Sequence, residues 1–105
     1  MNKLATKESK TQKTSHREKV FVYMVRCKNN SLYTGWTTDL ERRVKEHNKG
    51  TGSKYTRANG PVELVYFEEM QDRVEAAKRE YAIKQLTKEE KELLVNQHLL
   101  KSRVL

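Results

Sequence analysis

Residues 20–26, VFVYMVR, constrain this chain more than any other stretch. They are β-branched and aromatic almost throughout and so read as a strand. A strand with one face in water alternates apolar and polar residues; this run does not, so both of its faces need cover. It is expected to be a central strand with other elements packed on it. Lys28, Asn29, Asn30 and Ser31 follow as turn residues, and residues 31–34 return as a second strand. The resulting hairpin sets Tyr23 and Tyr33 on neighbouring strands.

The second strand leads into YTGWTTDLERRVKEHN, residues 33–48. Gly35 interrupts it as a turn glycine. Thr37, Thr38 and Asp39 are helix-entry residues that can place a side-chain oxygen on free N–H groups. A helix over about 39–48 puts Leu40, Val44 and His47 on one stripe, and Arg43 and His47, four apart, side by side. Gly50 suits its C-terminal cap. Residues 49–61 read as a loop carrying Lys49, Lys54, Tyr55 and Arg57, closed by Gly60-Pro61. Basic residues interleaved with an aromatic suit contact with a nucleic-acid backbone; Tyr55 could equally pack on the sheet.

Residues 62–68, VELVYFE, are a third strand. A helix over about 72–85 starts at Asp72 and is expected to turn Val74, Ala77, Tyr81 and Ala82 toward the sheet. Thr87 and Glu90 form a capping box for a last helix over about 88–99, which carries Leu93 and Leu94. The order β-β-α-β-α-α makes the strands antiparallel and leaves the helices to cover them. Residues 1–19 hold six Lys/Arg against two Glu and no sustained apolar period; they read as a flexible basic arm. Residues 20–99 read as one domain and 100–105 as a short tail.

Of the 105 residues 34% are charged, and the net charge is +8. A positive surface favours an anionic partner, nucleic acid before membrane. Cys27 is the only cysteine, so neither an intrachain disulfide nor a cysteine zinc cluster can form. No apolar run is long enough to span a bilayer or to make a signal-peptide core, and a cytoplasmic protein is expected.

Four groups could carry chemistry. Tyr23 and Tyr33 lie on neighbouring strands of the hairpin. Arg43 offers a planar donor fork for phosphate oxygens. His47 can donate to a phosphate or relay a proton near neutral pH. Glu80 is a carboxylate on a helix that packs on the same sheet, and one carboxylate with water and phosphate oxygens is a normal Mg²⁺ shell. Each has an ordinary structural reading too. Tyr23 suits a core aromatic, Arg43 a solvated helix cation, His47 a partner of the helix dipole, and Glu80 an i,i+4 partner of Lys84.

In their order and spacing these residues resemble the GIY-YIG nuclease superfamily, in particular its small single-domain bacterial members. The first motif stands here as Val22-Tyr23-Met24 and the second as Tyr33-Thr34-Gly35, with ten positions from tyrosine to tyrosine. Arg43 lies eight positions after Gly35 and His47 one turn further on; Glu80, within AAKREYAIK, matches the metal-binding glutamate. The resemblance covers roughly residues 20–97. Both Gly and Ile of the first motif and the Ile of the second are replaced, at backbone and packing positions. Trp36 stands where a small or basic residue is usual, able to stack on a base or to shield the site.

The resemblance implies an α/β (α+β) fold, a two-layer sandwich with a central three-stranded antiparallel sheet flanked by helices. It implies hydrolysis of DNA, or RNA, with one divalent ion, Mg²⁺ or Mn²⁺, on Glu80. Tyr23 or Tyr33 would help activate the attacking water, and Arg43 would stabilise charge on the phosphate. A free tyrosine has a pKa of about 10, so either the metal and Arg43 depress it or it only positions the water. Family members usually gain targeting from an attached domain. Weak sequence selectivity, structure selectivity in DNA repair or recombination, or dependence on a protein partner is therefore expected. The alternatives are a nucleic-acid-binding module with negligible catalysis and a protein-binding adaptor.

Overall fold

The computed structural model describes residues 18–104; the expected basic arm, but for its last two positions, lies outside them. Three strands, β1 (Val20–Cys27), β2 (Leu32–Thr37) and β3 (Val62–Met70), form one antiparallel sheet in the order β2-β1-β3. The apolar run is thus the central strand. Helix α1 (Leu40–Lys49) and a short α2 (Lys54–Asn59) separate β2 from β3. Helices α3 (Arg73–Lys84) and α4 (Lys88–Val104) follow. The expected 49–61 loop therefore contains a helical turn and a half, started by Ser53, whose hydroxyl accepts from Thr56 N at 3.1 Å. The last helix continues five residues past its expected end.

β1 divides its residues between two clusters. Val20, Val22 and Met24 pack with Ala76 and Ile83 of α3 and Val95 of α4, supported by Leu86 and Leu94. Tyr23, Val25 and Cys27 pack on the opposite face with Val62, and with Leu40 and Val44 of α1. Both faces are covered, as the sequence of β1 requires. Burying a side chain such as Ile83 contributes about 1.5–3 kcal/mol.

The inward face of α3 differs from the expected one. Val74 and Tyr81 are 64% and 68% exposed, while Ala76 and Ile83 are fully buried. Ala76 is small enough to bring the helix close to the sheet, and Ile83, two turns on, fills the space beyond it. This rotation sets Arg79 against Glu68, Nη2 to Oε2 at 2.8 Å, and leaves Glu80 half-buried.

The caps are the expected ones. Asp39 accepts from Arg42 N at 3.0 Å, and Gly50, at φ 85°, ends α1 in the left-handed region. Thr87 and Glu90 exchange side-chain-to-backbone bonds at 2.9 and 3.1 Å. Helix α4 is pinned to the β1–β2 hairpin by Glu92, which accepts both Arg26 guanidinium nitrogens at 2.7 and 2.8 Å and Lys88 Nζ at 2.6 Å. Those cations hold the Glu92 carboxyl down at about 2, from an ordinary 4.5. Its folded pKa lies below its unfolded one, so its stabilisation is complete above pH 4.5 and disappears as pH falls toward 2. Glu92→Gln is expected to cost about 1 kcal/mol at pH 7 and little at pH 2; urea melts at the two pH values would measure this, and an equal cost at both would contradict it.

Candidate active site

The Tyr23 ring leaves β1 and crosses β2 where Gly35 lies opposite it in register. Gly35 is required here by space: a Cβ at this position would stand 2.7 Å from the Tyr23 hydroxyl oxygen and 2.9 Å from Cζ. The hydroxyl arrives 2.7 Å from His47 Nε2 and receives Arg43 Nε at 3.4 Å. Strand, glycine and the i,i+4 pair of α1 thus meet at one oxygen.

His47 is only 1% exposed. Its Nδ1 lies 2.7 Å from Thr56 Oγ1, which in turn lies 2.9 Å from Ser53 Oγ. Arg43 already donates to the Tyr23 oxygen, so the phenolic proton points at His47 Nε2, and the ring proton sits on Nδ1 and goes to Thr56. This assignment satisfies every group in the chain Tyr23–His47–Thr56–Ser53. Gly52 packs against the His47 ring so closely that a Cβ there would overlap Nδ1 and lie 2.9 Å from His47 Cα. Burial first, then the Arg43 charge, lower the His47 pKa below its ordinary 6.5, so the ring is neutral at pH 7. Burial pushes the Tyr23 hydroxyl up to about 12 against the pull of Arg43, and Tyr33 and Glu80 push the same way.

The remaining Arg43 nitrogens reach Glu46 Oε1 at 2.9 Å and Gly52 O at 3.2 Å. Tyr33 makes an edge contact with the His47 ring, centroids 5.3 Å apart, and stacks on Tyr55 at 6.2 Å. Tyr55 hydroxyl donates to Ser31 Oγ at 2.6 Å, so this ring props α2 against the hairpin. Tyr23, Tyr33, Arg43 and His47 are therefore drawn together. Glu80, on α3, holds its carboxylate 3.2 Å from Lys84 Nζ. Lys49, Lys54 and Arg57 lie exposed on the end of α1 and on α2, outside this hydrogen-bonded cluster.

Thr56, Ser53, Gly52 and Glu46 were not among the sequence candidates. Ser53 and Thr56 carried one signal, a capping serine three residues before a threonine; nothing in the spacing tied them to His47. Among the described residues no three of His, Cys, Asp and Glu cluster to hold an ion. A cation on Glu80 would complete its shell with water and substrate oxygens, and this hard, single-carboxylate donor set suits Mg²⁺ or Mn²⁺. No helix among the described residues is long and apolar enough to cross a membrane.

A tyrosine on the central strand, a glycine opposite it and an arginine–histidine pair on the following helix meet in one hydrogen-bonded cluster. Residues 19–93 match the GIY-YIG catalytic domain, and the chain belongs to that family. Within it, the chain is 53% identical over 81 residues to the UPF0213 protein CPE1444 of Clostridium perfringens, covering 77% of this chain and 87% of that one. It is 48% identical over 77 residues to the UPF0213 protein YazA of Bacillus subtilis, covering 73% and 78%. The solution NMR structure of EF2693 from E. faecalis is similar, with TM-score 0.54, 42% identity and coverage of 78% and 88%.

Proposed function

We propose that the chain is a metal-dependent DNA endonuclease of weak sequence selectivity. The observation that carries this reading is the Tyr23 hydroxyl. It is bonded to a buried neutral imidazole and to a guanidinium. A tyrosine kept only for packing needs one hydrogen-bond partner, not this set.

Phosphodiester hydrolysis needs a water relieved of a proton and charge offset on the phosphate. Tyr23 is not a tyrosinate at neutral pH, and His47 is a weak base. In series they work as one: as water attacks phosphorus and the bond to the leaving oxygen breaks, the water proton passes to the Tyr23 oxygen while the phenolic proton passes to His47 Nε2, and the leaving oxygen takes its proton from solvent water. Thr56 and Ser53 hold the ring in the tautomer that can receive it. A divalent cation on Glu80 would supply Lewis-acid activation of the water and of the phosphate. Arg43, anchored on the Tyr23 oxygen and the Gly52 carbonyl, donates to the phosphate oxygens as charge builds there. Tyr33 and Tyr55 wall off the His47 ring. Trp36, Lys49, Lys54 and Arg57 supply stacking and backbone attraction, which carry little sequence information.

The test uses labelled single-stranded, duplex and branched DNA with Mg²⁺, Mn²⁺ or chelator, beside Glu80→Ala. Cutting that needs metal and is lost in the variant is expected. Cutting is also expected to hold steady through neutral pH and fall only below pH 6.5, where protonation of His47 removes the acceptor. Stability follows the same sign: the neutral ring is the folded form, so its contribution is present above pH 6.5 and lost as pH falls. Binding of every DNA without cutting in any metal would leave a nucleic-acid-binding module instead.

A further inference from the structure

A cleft of about 230 Å³ lies between the end of β2, the first turns of α1 and the start of α3. Trp36, Arg42, Arg43, Glu46 and Arg73 line it. Three guanidinium groups facing one small space would repel each other unless anions held them. Glu46 does so for two, Oε1 to Arg43 Nη1 at 2.9 Å and Oε2 to Arg42 Nε at 3.5 Å. Glu18 does so for the third, with Oε1 2.7 Å from Arg73 Nη2. Arg73 also lies over the Trp36 ring, 5.7 Å from its centroid.

Glu46 divides its two oxygens between two arginines, as the two non-bridging oxygens of a phosphodiester would. We infer that this cleft takes a phosphate of the DNA strand that Arg42 and Arg43 share, and that Glu46 is the internal anion this phosphate displaces from them. The Glu46 side chain is 35% exposed, and ion pairs at that exposure are weak enough to exchange. A phosphate accepting two guanidinium groups is the stronger partner. Trp36, backed by Arg73, then offers its face to the adjoining sugar or base. The inference rests on the phosphate-handling part of the proposed function but not on catalysis.

The opposite role, in which Glu46 orients Arg43 toward substrate, predicts the opposite sign, so binding decides. Full-length protein in chelator is titrated into a labelled oligonucleotide and followed by anisotropy at ~0.1 M salt. Glu46→Gln is expected to tighten binding at least about threefold. Glu41→Gln is the control: the same charge change on the same helix, at a carboxylate 83% exposed and, among the described residues, paired with Lys45. It should tighten binding by less than about 1.5-fold. Arg42→Ala added to Glu46→Gln should erase the gain. Glu46→Asp, which keeps the charge but is too short to span both arginines, should also tighten binding and covers the case of a misfolded Gln variant. Glu46 variants that bind no better than Glu41→Gln, or more weakly than wild type, overturn the inference alone. Absence of binding by every form overturns it together with the phosphate reading, and loss of cutting with these binding differences intact overturns only the nuclease.

Discussion

Arg43→Ala is expected to reduce DNA cutting by about 10²–10³-fold at saturating substrate. Its guanidinium is anchored by Nε on the Tyr23 oxygen and by Nη2 on the Gly52 carbonyl. These two bonds aim the fork before substrate arrives, and a preorganised donor is worth more than one that must be recruited. Arg43→Lys should recover little, because an ammonium is a point charge and cannot reach three directions in one plane. Binding in chelator should weaken far less than turnover, since one phosphate contact among several is lost. Single-turnover rates measured beside anisotropy separate the two effects. Cutting by Arg43→Ala within a few-fold of wild type would remove Arg43 from the mechanism.

Gly52→Ala is expected to cost about 2–3 kcal/mol of stability, a fall of ~10 °C in melting temperature for a domain of this size. The new methyl would meet the His47 ring and, at 2.9 Å, the α1 backbone at His47 Cα. Backbone cannot swing aside, so the loop and α1 must separate, and the Thr56 bond to the ring is lost with them. Gly35→Ala makes the contrast. Its methyl meets only the far end of the Tyr23 ring, which can shift more readily than backbone but carries its hydroxyl off His47 Nε2, leaving a buried nitrogen unpaired. Gly52→Ala should therefore unfold the domain earlier, whereas Gly35→Ala should lose less stability and cut poorly. Calorimetry and cutting rates on both variants check the pair; equal melting temperatures would mean that the Gly52 contact is relieved by movements smaller than these distances require.

Much of this was legible in the residues. The near-continuous apolar run of 20–26 required a doubly covered central strand, and Asp39 and Gly50 bracketed α1 through familiar cap chemistry. The proximity of Arg43 and His47 followed from helical spacing. The face of α3 was not legible in the same way. Val74, Ala77 and Tyr81 make a regular stripe, yet Ala76 and Ile83 are the buried pair. Periodicity ranks faces by apolar area, whereas the sheet selected the face whose small residue permits close approach. The short α2 was missed because its six residues, KYTRAN, carry no apolar stripe. It is held by Ser53 and by Tyr55 stacking on Tyr33, contacts that exist only once the hairpin has formed. Thr56 was missed for a related reason: a threonine in a polar loop looks solvated until the chain folds it onto a buried imidazole.

β1 serves two masters by alternation. Val22 and Met24 belong to the cluster under α3 and α4, and Tyr23 and Val25, between and after them, to the cluster under α1. A full sheet thickness separates the two sets of side chains, so energetic changes on one side add to those on the other with little cross-talk. The domain can therefore be hardened or softened through Val20, Val22, Met24, Ile83 and Val95 while the phenol and imidazole keep their spacing. A lineage carrying this strand has one half free to adapt to temperature or salt and the other reserved for chemistry. An engineer could recombine the two halves as interchangeable parts.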